Sequence, residues 1–330
     1  MKKKTKIIQV GVGGFGKSWF KVVKESPEWE LEAIVDINKK AIGEIVEEFN
    51  FPEDRTFTSL KDCLKKVKAD AVLNITPPNI HREITEIAVK NGLDVLVEKP
   101  ISDNMKDAEK MVEIAEKNGR KLMVSQNYRF SSVARTLRKE IEKGSVGKIS
   151  YCVVNFQKGP KFTGFRVKME QPLLIDMAIH HFDLMRYFVG KDPVEVFAES
   201  YNPYWSWFSG DTCLNVIFKF EDDVYVNYSG SWVSKGKQTT WNGDWEIYGE
   251  KGTLILKDNR VFLVKSERQK EIKLVNMKRE GQKYSLYEFY LSITQDREPE
   301  TSGKDNLKSV SMVFSSLKSI EKKRIIKFRK

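Results

Sequence analysis

The stretch KIIQVGVGGFGKSWFKVVKESPEWELEAIVD, ending at Asp36, leaves this chain few folds to choose from. It reads as a short apolar strand, a glycine-rich turn, an amphipathic helix and a second apolar strand closed by an acid. Gly11, Gly13, Gly14 and Gly16 spell G-x-G-x-x-G with one glycine to spare. Gly11 lets the chain turn sharply off the strand. Gly13 removes the Cβ that would hold a pyrophosphate away from the backbone, and Gly16 lets the helix sit close on the sheet. The helix from about Lys17 points free N–H groups and its dipole at the phosphates. Asp36, twenty residues past Gly16, can accept hydrogen bonds from adenosine ribose hydroxyls, which favours NAD over NADP. Lys39 and Lys40 blunt that preference and leave NADP open.

The other totals narrow the partners. With 330 residues, 40% of them hydrophobic, the chain can bury two cores. Its net charge of +11, with basic runs MKKK and EKKRIIKFRK at the ends, raises nucleic acid as a partner. But lysines run through the whole chain, interleaved with glutamates as on solvated helix faces, so no nucleic-acid partner is expected. The positive field instead suits an anionic cofactor or substrate. Cys63, Cys152 and Cys213 are isolated, with no C-x-x-C, which fits a reducing, cytoplasmic setting. The start MKKKTKIIQVGVGGF imitates a signal peptide, yet glycines break its apolar run and it lacks a small-residue cleavage site. No run has the length of a membrane-spanning helix, so no membrane partner is expected.

Up to about residue 125, strand and helix patterns alternate with short connections. Buried-strand runs at Ala71–Ile75, Asp94–Val97 and Lys121–Val124 alternate with helices ending at Asn91-Gly92 and Asn118-Gly119. This predicts a doubly wound parallel sheet, an α/β domain over 1–125, with ligands beyond the carboxyl ends of its strands. Gly11–Gly16, Asp36, Thr76–Asn79 and Glu98–Pro100 all fall at such ends. The candidate cofactor-binding residues are Gly11, Gly13, Gly14, Phe15, Gly16, Asp36, Thr76, Pro77, Asn79, His81, Glu98 and Lys99.

From residue 126 the pattern changes. A helix over Val133–Lys143 and a strand over Ile149–Phe156 lead to a strongly apolar helix, Leu173–Val189. Strand runs follow at 194–200, 212–220, 224–232, 240–248, 252–257 and 260–265, without intervening helices. Two helices, Tyr284–Thr294 and Asn306–Lys322, close the chain. The expectation for 126–330 is an α+β domain on a mostly antiparallel open sheet, serving substrate binding and oligomerisation. A sheet face carrying Val226, Tyr228 and Trp232 predicts sheet-to-sheet association into a homodimer or homotetramer. Trp241 and Trp245 also fall in these runs, whereas Trp205 and Trp207 sit in a loop that can stack on a sugar ring or line an interface.

Histidine is scarce: His81, His180 and His181 are the three. Asp176 and His180 are i and i+4, so both project from one helix face, with Asp183 on the same stripe. A carboxylate one turn from an imidazole can orient it for proton transfer. The alternative is a histidine capping a buried polar pair. No second His or Cys set stands at ligand spacing, so no metal is expected. Lys99, at a strand end beside a bound nicotinamide, can hydrogen-bond a substrate hydroxyl. Arg166, just before the apolar helix, can hold a substrate hydroxyl or carboxylate.

GVGGFG, TPPNIH, VLVEKP, QNYRF and IDMAIHHFD, in this order, together resemble the glucose–fructose oxidoreductase / inositol dehydrogenase / rhizopine-catabolism (Gfo/Idh/MocA) family, as does the closing TSGKDNLKSV. The resemblance spans essentially the whole chain. It implies an N-terminal Rossmann sheet and an NAD(P)-dependent dehydrogenase or reductase acting on CH–OH groups of a small-molecule sugar, inositol or polyol. By position it puts the catalytic lysine on Lys99, the helix aspartate on Asp176 and the catalytic histidine on His180. Three departures stand out: Glu170-Gln171-Pro172-Leu173 replaces a glycine-rich approach to the catalytic helix, Ala178 stands where glycine is common, and the aromatic segment Tyr201–Phe208 belongs to no general motif of the family. The favoured expectation is oxidation of a secondary alcohol, with Lys99, Arg166, Asp176 and His180 meeting the substrate. Three alternatives stay open: transient NAD redox that cleaves a glycosidic bond, a nucleotide-sensing protein without turnover, and a reductase of the biliverdin type.

Overall fold

The computed structural model describes residues 4–328. The outermost residues of both basic runs, 1–3 and 329–330, lie outside the described residues. The chain divides into two compact units, Met1–Asn127 with Arg279–Leu307, and Tyr128–Lys278 with Lys308–Lys330.

The first unit is a six-stranded, wholly parallel sheet. Its strands are β1 (Thr5–Val10), β2 (Trp29–Val35), β3 (Thr56–Phe57), β4 (Ala71–Asn74), β5 (Asp94–Val97) and β6 (Leu122–Val124), ordered β3-β2-β1-β4-β5-β6. Helices α1 (Phe15–Glu25), α2 (Lys39–Phe49), α3 (Leu60–Lys66), α4 (His81–Lys90) and α5 (Met105–Lys117) connect them. This is the order of a doubly wound dinucleotide fold, in which the strand sequence reverses between β1 and β4 and opens a crevice there. The helix ends are set locally: Asn38, Ser59 and Asn104 cap α2, α3 and α5 through their side-chain oxygens. Ile42 and Ile45, on one face of α2, pack with Val12, Phe20, Ile34 and Phe51 into a core under the glycine turn.

Residues 279–307, expected in the second domain, belong to the first unit. In the helix Gly281–Thr294, Phe289 stacks on Trp29 with ring centroids 5.7 Å apart, and Leu286 O accepts from Trp29 Nε1 at 3.2 Å. Further on, Thr301 Oγ1 donates to Val124 O at 2.6 Å. An apolar helix pattern says that a helix covers a sheet, not which sheet.

The second unit begins with α6 (Ser132–Glu142) and continues through β7 (Ile149–Gln157) to the apolar helix. That helix is not a single α-helix, as its sequence predicts. Leu173–Ala178 form a π-helical turn, and α7 proper runs Ile179–Val189. Leu173, Leu174, Met177 and Ala178 are all buried, so the run carries no polar rhythm from which a wider turn could be read.

The sheet then adds β8 (Pro193–Tyr201), β9 (Cys213–Phe220), β10 (Tyr225–Ser231), β11 (Asp244–Gly249), β12 (Gly252–Lys257), β13 (Arg260–Lys265), β14 (Arg268–Ile272) and β15 (Ile326–Lys327). The order is β14-β13-β12-β11-β7-β10-β9-β8-β15, antiparallel except for the β7–β10 pair. Which face of it is open differs from expectation. Val226, Tyr228 and Trp232 are buried, while Tyr225 and Ile217 stay exposed on the open face. A strand that alternates two sets of mixed side chains does not say which set faces in. Trp241 is in the turn ahead of β11, not on a strand.

Candidate functional site

In the first unit the glycine turn is closed to side chains where the fold needs contact. A Cβ on Gly11, whose φ is +91°, would lie 2.6 Å from Ile75 O, and one on Gly16 would lie 2.4 Å from Gly11 O. So Gly11 passes tightly over the end of β4, and Gly16 seats α1 against the turn. At Gly13 a Cβ would instead enter space beside Asp36, 3.9 Å from its Oδ2. Phe15 is exposed at the start of α1. Asp36 is itself engaged: Oδ2 accepts from the N–H groups of Val12 (2.9 Å) and Gly13 (3.2 Å), and Oδ1 from Asn38 N (2.8 Å).

Across the crevice, Thr76 Oγ1 donates to Asn74 Oδ1 at 2.7 Å, while Pro77 and Asn79 are exposed in the turn before α4. His81 is fully buried. Its Nε2 lies 2.7 Å from Thr76 O, and its Nδ1 lies 3.1 Å from both Pro100 O and Ile101 O. Burial pushes its imidazolium below the ordinary range, against those three carbonyls. The ring ties the turn after β4 to the turn after β5. Glu98 is likewise enclosed. Its Oε1 accepts from Trp19 Nε1 at 2.8 Å and its Oε2 from Lys99 N at 2.9 Å. Burial raises the Glu98 carboxyl, opposed by the charge of Lys99 and by these hydrogen bonds. Trp19 of α1 thereby links the glycine turn's helix to the backbone of half-buried Lys99. The sequence offered no sign of that link.

In the second unit, Asp176 lies on the π turn and His180 on α7. An α-helix completes a turn in 3.6 residues, so i+4 overshoots; a wider turn reduces that overshoot and brings the two positions nearer to alignment. Arg166 Nε donates to Asp176 Oδ2 at 2.6 Å, so two residues expected to meet substrate meet each other. His180 is stacked on Tyr128, ring centroids 4.3 Å apart at 24°. Tyr128 was visible only as part of QNYRF. Its hydroxyl is raised above the ordinary tyrosine range by burial and then by the charge of Asp176.

Asp183, three residues past His180 on α7, is held by partners of its own. It takes Arg129 Nε at 2.6 Å and Arg129 Nη2 at 2.7 Å, with Ser309 Oγ at 2.6 Å, in a buried network. Adjacent His181 is also structural, with Nδ1 3.2 Å from Tyr228 Oη and Nε2 3.1 Å from Trp241 O. Elsewhere in this unit, a cavity of about 480 Å³ opens on the sheet's open face beside Tyr201, Tyr204 and Trp205. The aromatic loop there is tied down, Trp205 Nε1 to Val233 O (3.3 Å) and Trp207 Nε1 to Pro160 O (3.2 Å). Among the described residues no cluster of His, Cys, Asp or Glu could hold a metal ion, and no helix is long and apolar enough to cross a membrane.

Two family descriptions match this chain: an oxidoreductase family with an NAD-binding Rossmann fold over residues 5–126, and the Gfo/Idh/MocA C-terminal domain over 134–255. The chain belongs to the Gfo/Idh/MocA family. It is 28% identical to the uncharacterized protein y4oX of Sinorhizobium fredii, over 96% of this chain and 93% of that one. It is 23% identical to myo-inositol 2-dehydrogenase of Thermotoga maritima, over 96% and 97%. An oxidoreductase from Agrobacterium radiobacter, solved with NAD+, L-tartaric acid and magnesium, superposes with a TM-score of 0.90 at 20% identity, covering 98% of each chain.

As a Gfo/Idh/MocA member the chain is an oxidoreductase with an NAD-binding Rossmann domain. Its residues fit that cofactor. The turn is sealed by Gly11 and Gly16, Gly13 leaves room beside Asp36, and α1 opens with the N–H of Phe15 free of any intrahelical acceptor, while those of Gly16 and Lys17 turn back to Gly13 O and Gly14 O.

Proposed function

We propose that this oxidoreductase oxidises a secondary alcohol of a small sugar, polyol or cyclitol, with Lys99, Asp176 and His180 as its catalytic set. The observation that carries this reading is the imidazole of His180, packed face-on against Tyr128 one turn from an Asp176 held by Arg166. Stacking restricts the ring's rotation, so its proton-accepting edge keeps one direction. His180 takes the hydroxyl proton as the C–H hydrogen departs as hydride. Asp176 favours the imidazolium formed, and Arg166 keeps that carboxylate in place. Lys99 donates a hydrogen bond to the substrate oxygen, which eases loss of its proton. Gly11, Gly13, Gly14, Gly16 and Asp36 hold the dinucleotide, with Phe15, Thr76, Pro77 and Asn79 at its edges. Bound nicotinamide supplies the hydride acceptor.

The partner chain in this proposal is a second copy. The open face of the nine-stranded sheet carries Ile217, Tyr225 and Tyr248, each exposed, and supports a homodimer or homotetramer built through that face. Three buried free thiols, Cys63, Cys152 and Cys213, support a reducing, cytoplasmic setting.

The test is NAD reduction against a panel of sugars, polyols, cyclitols and their acid and phosphorylated forms. Turnover with a secondary alcohol, lost in His180→Ala, is the expected result. NAD binding with no turnover across the panel sinks the enzymatic reading in favour of a sensor.

A further inference from the structure

The glycine turn is fastened from beneath by a residue its motif does not include. Gln9 occupies β1 between Ile8 and Val10, is wholly buried, and is the one polar side chain in the run Ile7–Val10. Both amide hydrogens are used: Nε2 donates to Gly11 O at 2.9 Å and to Gly16 O at 2.7 Å. These carbonyls belong to the first and last glycines of the turn. Gln9 Oε1, by contrast, is buried without a hydrogen-bond partner. A buried amide oxygen left unpaired is costly, and an aliphatic side chain here would avoid that cost. The donor end must therefore contribute something an aliphatic residue lacks.

We propose that Gln9 is a positioning residue for the dinucleotide, presetting the glycine turn to receive the pyrophosphate. A peptide plane points its C=O and the following N–H in opposite directions. Drawing Gly11 O toward the amide turns Val12 N–H the other way, where Asp36 Oδ2 takes it at 2.9 Å. Two further carbonyls of the turn are engaged as well, Gly13 O by Gly16 N at 2.8 Å and Gly14 O by Lys17 N at 3.3 Å. With the carbonyls of Gly11, Gly13, Gly14 and Gly16 drawn inward, and the N–H groups of Val12 and Gly13 held by Asp36, the turn offers an anion the N–H groups of Gly14 and Phe15. Without the Gln9 donor, two carbonyls lose their partner, and conformers that point them outward gain population. Affinity then falls in proportion to the fraction of turns still correctly set, so a competent fraction of about one in ten weakens binding about tenfold.

The test measures binding, not turnover. Gln9→Met, isosteric but without donors, is titrated calorimetrically with NAD, NADP and ADP-ribose well below its melting temperature. The expected result is a loss of about tenfold for all three ligands, with the NAD-to-NADP ratio unchanged because Asp36 is intact. A merely structural role lowers the melting temperature but leaves the affinities of the folded protein where they were. Affinities within twofold of the parent overturn the proposal, as does a loss confined to NAD. Should Gln9→Met not fold, Gln9→Asn decides. Its shorter amide cannot span both carbonyls, and parental affinity for ADP-ribose in that variant overturns the proposal equally.

Discussion

Arg166 donates from Nε to Asp176 Oδ2 at 2.6 Å, joining the 3₁₀ turn Gly164–Lys168 to the carboxylate one helical turn from His180. Both side chains are only partly exposed, 33% for Arg166 and 16% for Asp176, so the pair is shielded enough to matter. It also separates two roles for the arginine. A guanidinium that binds substrate directly acts on KM, whereas one that holds Asp176 acts on kcat. Arg166→Ala is expected to lower kcat about tenfold or more with little change in KM, and Arg166→Lys to recover part of it. A rise in KM alone returns Arg166 to direct substrate binding.

His180 and Lys99 are assigned to one proton transfer. His180→Ala is expected to cost on the order of 10²–10⁴ in kcat. Lys99→Ala should be comparably damaging, with NAD affinity close to the parent's in both. The double variant should fall well short of the product of the two losses, because groups acting on one step are not additive. Full multiplicativity in single-turnover rates places them on separate steps and ends this mechanism.

Asp36 should make the parent bind NAD more tightly than NADP, since a 2′-phosphate would face its carboxylate. Equal or tighter NADP binding by titration refutes that. Its hydrogen bonds to Val12 N and Gly13 N add a second consequence. Removing a charged acceptor from such bonds costs about 1.5–3 kcal/mol each. Asp36→Ser should therefore weaken NAD at least tenfold and should not make NADP bind as tightly as NAD binds the parent.

His181 is the internal control for helix register and a source of acid sensitivity. Burial pushes its imidazolium from 6.5 down to about 4, partly offset by the Trp241 carbonyl. As pH falls, the unfolded chain takes up this proton first. The stability is therefore complete above about pH 6.5 and is lost progressively toward pH 4. A drop of that size is worth roughly 3 kcal/mol. His181→Gln, which cannot titrate, should be less stable at pH 7 but should lose less between pH 7 and 5 in urea melts. Matching pH slopes would falsify this assignment, and loss of kcat in folded His181→Gln with His180→Ala tolerated would reverse the roles of the two histidines.

The open sheet face gives the assembly prediction. Light scattering at micromolar concentration should show a dimer or tetramer, and Ile217→Asp with Tyr225→Asp should shift it to monomer, because each puts an unpaired charge in the contact. Val226 and Tyr228 substitutions should unfold the unit instead, since both side chains are in its core. A parent that is monomeric refutes association through this face.

The nucleotide half was legible because its requirements are local. A turn that brings Gly11 within 2.6 Å of a carbonyl, judged by the Cβ it lacks, can only be glycine, and the acid that follows has to end the next strand. Those positions are separated by one helix, so spacing alone ties them together. The alternating β-α grammar carried the six parallel strands for the same reason. What spacing could not carry was pairing between distant segments. Nothing near Gln9 says that its amide will reach Gly16 O, nothing near Trp19 names Glu98, and QNYRF does not reveal that Tyr128 will stack on His180. The helix at Gly281–Thr294 shows apolar residues without naming the sheet they cover, and only contact with Trp29 assigns it to the first unit. The strand Tyr225–Ser231 offers two mixed faces, and burial against the rest of the second unit chose Val226 and Tyr228 for the core. Periodicity records which residues share a face. Which face is covered, and by what, is decided by packing among segments far apart in the chain, where buried area outweighs any local preference.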